Sequence, residues 1–313
     1  RQRWLLAILP HLKSMPPIPA WIQRKRVTIP ISVTLLSLLA LVLTQAKEHS
    51  LWIQDSAVAT SDGTLPKQLV CPAPANPDPL LGARTRKPGR WVGATPMQQD
   101  TPIVVMAGHA DSQGMNSAGT PGFAVGVKKQ APMDARMRDE LYWNLKVQEA
   151  VVRLGKARAL NISAYNPPAL TIRNDNHPKT NWSQARVRSA KGDYILEIHF
   201  DAYSPYGFGS GLIPAINRPL NTIDESLGKA FGRFPRLFRG GLGGPRRGIG
   251  ILEIGMLEPP LEQKLRNPNT QRQTIDCLAL RVVDALEKGV NRSPDAGDSA
   301  PQGSDPQTNP ADG

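Results

Sequence analysis

The sequence predicts an α/β fold: a single three-layer domain with a mostly parallel, twisted sheet flanked by helices, preceded by an N-terminal apolar segment. Three observations carry this. Apolar runs of strand length alternate with segments of helical period between residues 103 and 290. The runs are continuous rather than alternating, as in strands covered on both faces. Two of the chain's five histidines, His109 and His199, stand at the carboxyl ends of such runs, the edge where parallel sheets bind ligands.

The chain begins with basic residues and no acid through Lys47, and ends in an acidic tail. Of the formal charge of +12, +7 lies in residues 1–47 and −3 beyond Asn291, so the middle carries +8 without a basic block. That suits an anionic polymer and gives no reason to expect nucleic acid as the partner. Val27 to Leu43 is uncharged and follows Arg24, Lys25 and Arg26, so what comes after it is expected to be exported. Its length sits between a membrane span and a signal peptide, and Thr44-Gln45-Ala46 offers a cleavage site, so anchor and cleaved signal both stay open. Residues 1–46 are thus read as a cytoplasmic basic stretch with a signal or anchor, 47–100 as a Pro-rich linker, 101–290 as the folded domain and 291–313 as a disordered acidic tail. Cys71 and Cys277 make no CxxC or metal cluster. They can pair in an exported protein, but Cys277, in an apolar helical stretch, reads more simply as a buried thiol.

Within the domain, Ile103 to Ala107 is a buried strand, and Gly108 lets the backbone turn beneath His109. A helix follows from about Asp139 to Leu160, with Leu145, Val152 and Leu160 at its period, then a short strand at Ile162 to Tyr165. Next come a helix near Trp182 to Ala190, the strand from Tyr194 to His199, and a helix at Ile223 to Phe231. The strand Ile249 to Ile254 and a helix from Thr274 to Lys288, apolar at Ile275, Leu278, Val282 and Leu286, complete the pattern.

His109 taken alone is as well explained by a strand cap as by a ligand. Parallel strands bring their carboxyl ends to one edge, so His109 and His199 can converge. Glu140, at the start of the long helix, can join them; two imidazoles and a carboxylate suit zinc, with a fourth position left for water. Taken alone, Glu140 is an ordinary first-turn acid favoured by the helix dipole. Glu253, a carboxylate inside the apolar run Ile249 to Ile254, is costly to bury unpaired. It can act as a general base beside a metal-bound water, or pair with Arg246 or Arg247. Asp111 and Asp201, two residues after each histidine, are candidates for orienting the imidazoles or for turn roles. His177 reads as a solvated loop histidine.

Four stretches, AGHADSQG, ELYWNLKV, EIHFDA and LEIGMLEP, resemble in this order the motifs of zinc-dependent N-acetylmuramoyl-L-alanine amidases of the amidase_3 type. The resemblance extends from about Ile103 to Val290. IRNDN at Ile172 to Asn176 is similar to the family's arginine-containing loop, and Gln184 to Gly192 to its arginine helix. It implies one catalytic Zn²⁺ held by His109, Glu140 and His199, with Glu253 as the catalytic carboxylate. It also implies peptidoglycan as the partner, cleavage of the amide between N-acetylmuramic acid and L-alanine, and a place in the periplasm or cell wall. The chain departs from the pattern at Met106, Ala107, Ala110 and Asp111, and its loop from Met115 to Asp139 is longer than the family needs. The stretch from His199 to Glu253 is too short for the blocking helix of regulated members, so none is expected. The competing reading is a wall-binding or scaffold protein of the same fold without turnover.

Overall fold

The structure, a computed structural model, describes residues 69–75, 77–83, 91–116 and 118–291. The apolar segment Val27 to Leu43, its cleavage site and the acidic tail from 292 onward lie outside the described residues. No described helix is long and apolar enough to cross a membrane.

The described part forms a five-stranded sheet between two layers of helices. Its elements are β1 (Ile103–Ala107), α1 (Gly122–Gly126), α2 (Asp139–Ala157), β2 (Ile162–Tyr165), α3 (Asn181–Ser189), β3 (Tyr194–Asp201), β4 (Gly211–Ile213), α4 (Thr222–Phe231), β5 (Ile249–Met256), α5 (Leu261–Arg266) and α6 (Pro268–Val290). The strand order is β2-β1-β3-β5-β4. The first four of these are parallel, and β4 runs antiparallel at the edge. Sequence periodicity does not reveal β4, α1 or α5, because each is too short to display a period.

Strand residues alternate between two cores. Val105, Leu196, Ile198, Leu252 and Ile254 pack under α2, α4 and α6. Val104, Met106, Ile195, Ile249 and Ile251 face α3 and Phe234 on the other side. Both faces of β1, β3 and β5 are therefore dry, which explains their unbroken apolar runs. The period expected for α2 is corrected: its buried stripe runs through Leu141, Asn144, Val147, Gln148, Val151 and Gly155, while Leu145 and Val152 are only partly covered. The stripe includes two amides that satisfy strand carbonyls, which an apolar count passes over. The α6 stripe matches expectation, with Ile275, Leu278, Val282 and Leu286 all buried.

The described part of the stretch expected to be a linker lies against the domain. Leu80 and Leu81 are in the core. Asp78 accepts from the amides of Leu80 and Leu81 and pairs, buried, with Arg281 of α6 at 2.6 Å. Arg281 also donates to the carbonyl of Pro72. Cys71 and Cys277 are joined in a disulfide with Cα atoms 5.4 Å apart, which corrects the reading of Cys277 as a free thiol. Local pattern holds no register for this segment, since its docking depends on Asp78 meeting an arginine about two hundred residues away.

The disulfide closes a separation of 206 residues, so replacing both cysteines with serine is expected to cost about 2–4 kcal/mol. Denaturant midpoints of the two proteins measure this; equal midpoints would mean that the other contacts hold the segment unaided. Arg281→Met, which strands the buried Asp78 carboxylate, is expected to cost about 3–5 kcal/mol in the same assay.

Candidate metal centre

β1 has β2 on one side and β3 on the other, so the chain's connections diverge at the β1–β3 boundary and leave a crevice at the carboxyl edge. His109 follows β1 and His199 lies near the end of β3. Both histidines therefore meet where the topology opens.

The meeting is close. A Cβ on Gly108 would collide with Cε1 of His199, so only glycine lets the end of β1 pass that imidazole. His109 takes φ of 63°, a left-handed conformation rare outside glycine, which turns its side chain back over the edge. The two rings stand 4.8 Å apart and nearly perpendicular.

Glu140 enters from the first turn of α2, where its charge also suits the helix dipole. One carboxylate oxygen, Oε1, lies 3.2 Å from Nε2 of His109 and 3.1 Å from Nδ1 of His199. The other, Oε2, accepts the amide of Thr120 at 2.6 Å. Gly119, at φ of 88°, is the next fitted position, since a Cβ there would meet Oε2 of Glu140 at 2.6 Å. The long loop from Met115 to Asp139 thus lays Gly119 and Thr120 against the site. Burial opposes the charge on Glu140, but the two imidazoles outweigh it and hold the carboxyl well below its usual range.

The three donors lie within 4.8 Å of one another and could hold a metal ion. Ligands about 2.0–2.1 Å from a tetrahedral ion are themselves about 3.3 Å apart, close to the separations of 3.2 and 3.1 Å between Glu140 and the two histidines. The chemistry agrees with the geometry: a buried carboxylate between two imidazoles requires a cation, supplied by imidazole protons or by a metal that displaces them.

His199 is oriented from its far side. Its Nε2 lies 3.2 Å from Oε2 of Glu197, whose Oε1 accepts from Asn181 Nδ2 at 2.9 Å. Asn181 also reaches the carbonyl of Ala107, tying α3 to the end of β1. This pattern leaves Nδ1 of His199 facing Glu140 and Nε2–H facing Glu197, the arrangement in which a ligating histidine donates its second N–H to a carboxylate. Burial works against the charge of His199, yet its bonds to Glu140 and Glu197 raise the imidazole well above its ordinary value. On α2, Asn144 and Gln148 continue the row begun by Glu140 and donate to the carbonyls of Gly108 and Val105.

Glu253 sits directly across from His199 in the β3–β5 register, on the same face of the sheet. Its Oε2 is buried and accepts no hydrogen bond among the described residues. The alternative of a pair with Arg246 or Arg247 does not occur: Arg246 donates to the carbonyl of Gly240, and Arg247 to that of Gly243 while lying over Trp182. Burial pushes the Glu253 carboxyl up to about 8; the nearby charge of His199 lowers it, and Asp201 and Glu140 raise it.

Of the candidates read from the sequence, His109, Glu140 and His199 converge, and Glu253 is beside them. Asp111 and Asp201 instead hold backbone. Asp111 accepts the amide of Asn181 at the start of α3, and Asp201 accepts the amides of Ala202, Phe208 and Gly209. His177 lies in the loop before α3, its Nδ1 accepting the amide of Lys179. Sequence reasoning overlooked Glu197 and Asn181. The signal for Glu197 was present, a carboxylate inside the apolar run YILEIHF two residues before a histidine and hence on its face. Asn181 carried no such signal.

No family model matches this chain, and no curated protein does. Among solved structures, the chain is similar to the catalytic domain of CwlV, an N-acetylmuramoyl-L-alanine amidase from Bacillus (Paenibacillus) polymyxa var. colistinus. The two are 15% identical over 61% of this chain and 96% of that one, with a TM-score of 0.38. For the N-acetylmuramyl-L-alanine amidase Ami1 from Mycobacterium abscessus the identity is 15% over 59% of this chain and 98% of that one, with a TM-score of 0.38. For Cwp6 from Clostridium difficile it is 13% over 61% and 29%, with a TM-score of 0.43. At such TM-scores the functional reading stands on the chain's own residues.

Two measurements probe the site. Gly108→Ala drives a methyl group into His199 and is expected to lower retained divalent metal severalfold after dialysis, read by elemental analysis; unaltered retention would remove His199 from the ligand set. Glu253 has a raised folded pKa, so in chelator-treated protein its contribution to stability is present below about pH 4.5 and lost as the pH rises through about 8. The metal-free wild type should therefore lose Tm relative to Glu253→Gln across that window, and parallel curves would contradict a buried, unpaired carboxyl.

Proposed function

We propose that the chain is a zinc-dependent peptidoglycan hydrolase that cleaves the amide between N-acetylmuramic acid and the L-alanine of the stem peptide. The observation that carries the hydrolytic reading is the convergence of His109, Glu140 and His199 beside a buried, unpartnered Glu253 oxygen. The identity of the amide rests on the resemblance of the four ordered motifs to the amidase_3 type. A bound Zn²⁺ would lower the pKa of a water and polarise the scissile carbonyl.

His109, Glu140 and His199 would hold that ion, Glu197 keeping His199 in the tautomer that leaves Nδ1 free to bind. Glu253 would take the proton from the attacking water at its unpartnered oxygen and return it to the nitrogen of the departing L-alanine. A carboxyl raised toward neutrality is suited to both halves of that transfer. A binding module has no use for such a group, which counts against a protein of this fold without turnover.

The Cys71–Cys277 disulfide supports export, since such bonds persist in oxidising compartments. We assign the protein to the periplasm or cell wall, with Val27 to Leu43 as its anchor if that segment is uncleaved.

The full chain should retain about one zinc and release soluble material from purified peptidoglycan, with new L-alanine amino termini seen by mass spectrometry. Glu253→Gln should keep the metal and lose about 10²–10⁴-fold in turnover. Zinc retention without release by the wild type would favour the inactive wall-binding reading.

A further inference from the structure

Beyond the three candidate donors and Glu253, the carboxyl edge carries an arginine held by rings. The stretch between β3 and β5 holds β4, α4 and a tight turn at Phe238–Gly240. Within that turn Arg239 takes φ of 50° and ψ of 38°, left-handed backbone that only a well-determined surrounding maintains in a side-chain-bearing residue. Its guanidinium lies 5.1 Å from the ring centre of Phe238 and 5.3 Å from that of Phe208. Those two rings meet edge to face. Phe208 is in turn fastened to the site, because its amide donates to Asp201 at the end of β3, two residues past His199.

Among the described residues Arg239 makes no hydrogen bond and no ion pair, and it is exposed to solvent. Its neighbours differ. Arg218 pairs with Asp224, and Arg236, Arg246 and Arg247 each donate to a backbone carbonyl. Arg239 is nevertheless held toward the edge that carries His199 and Glu253, through Phe208, whose amide donates to Asp201 at the end of β3. A planar, permanently charged fork, held near two aromatic rings and without a protein acceptor among the described residues, suits bidentate contact with a carboxylate.

We propose that Arg239 is a specificity-determining residue that binds a carboxylate of the stem peptide. This rests on the peptidoglycan reading above. Phe208 and Phe238 hold the guanidinium in place before substrate arrives, so little side-chain freedom is lost on binding.

The test uses the full chain and two soluble probes, N-acetylmuramoyl-L-alanyl dipeptides bearing either a carboxylate or a carboxamide on the second residue. Turnover and calorimetric binding are measured for wild type, Arg239→Gln and Arg239→Lys. The wild type should prefer the carboxylate probe. Arg239→Gln should raise KM and Kd for that probe about 10- to 100-fold, with kcat and the carboxamide probe little changed; Arg239→Lys, keeping charge without the fork, should recover part of the loss. Turnover of both probes without preference, or equal losses on both in Arg239→Gln, overturns the assignment while leaving the amidase reading intact. A shifted pH profile on both probes would mean that Arg239 acts through Glu253, and likewise overturns it. A wild type that neither binds nor cleaves either probe sinks the amidase reading and this inference together.

Discussion

The Glu140 carboxylate, buried between two imidazoles, is the interaction on which the rest of the site depends. A carboxylate removed from water must meet positive charge or carry a heavy desolvation cost. Here one oxygen is shared by His109 and His199 and the other is held by the amide of Thr120. Each surrounding peculiarity serves that convergence. Gly108 removes the Cβ that would strike His199, and His109 accepts a left-handed backbone to face inward. Gly119 leaves room for the carboxylate itself. The strain is local and adjoins the donors it positions, as expected where geometry is held for chemistry.

Contacts behind the three donors convert this convergence into a fixed orientation. Glu197 and Asn181 hold His199 from its far side, while Asn181 and Asn144 bind the carbonyls that close β1. The two helix layers thereby fix the same edge from opposite faces of the sheet, α2 through Glu140 and Asn144 and α3 through Asn181. Glu253 also keeps a buried oxygen, Oε2, that accepts no hydrogen bond among the described residues, as do Oδ1 of Asn144 and Oδ1 of Asn181.

The N-terminal part of the domain shows how far stability comes from outside the sheet. Residues 69–75 and 77–83 carry no regular element, yet Leu80 and Leu81 enter the core, and a disulfide and a buried ion pair fasten the segment to α6. The same segment supports the site's rim, since the amide of Ser210 donates to the carbonyl of Ala83 beside the loop that carries Phe208.

The sequence by itself determined the layered sheet, because strands covered on both faces must be apolar throughout and helices covered on one must be periodic. It also placed His109 and His199 at the ends of apolar runs and Glu253 inside one, and offered Glu140, at the start of the long helix, as a third donor beside the histidines. Only the tertiary structure decided what lies between distant segments. That Cys71 reaches Cys277, that Glu197 and not Asp201 holds His199, that Glu253 escapes Arg246 and Arg247, and that Arg239 lies between Phe208 and Phe238 all depend on distances across the chain. Local propensity carries no information about such distances: they follow from how loops without periodicity close between elements that do have it.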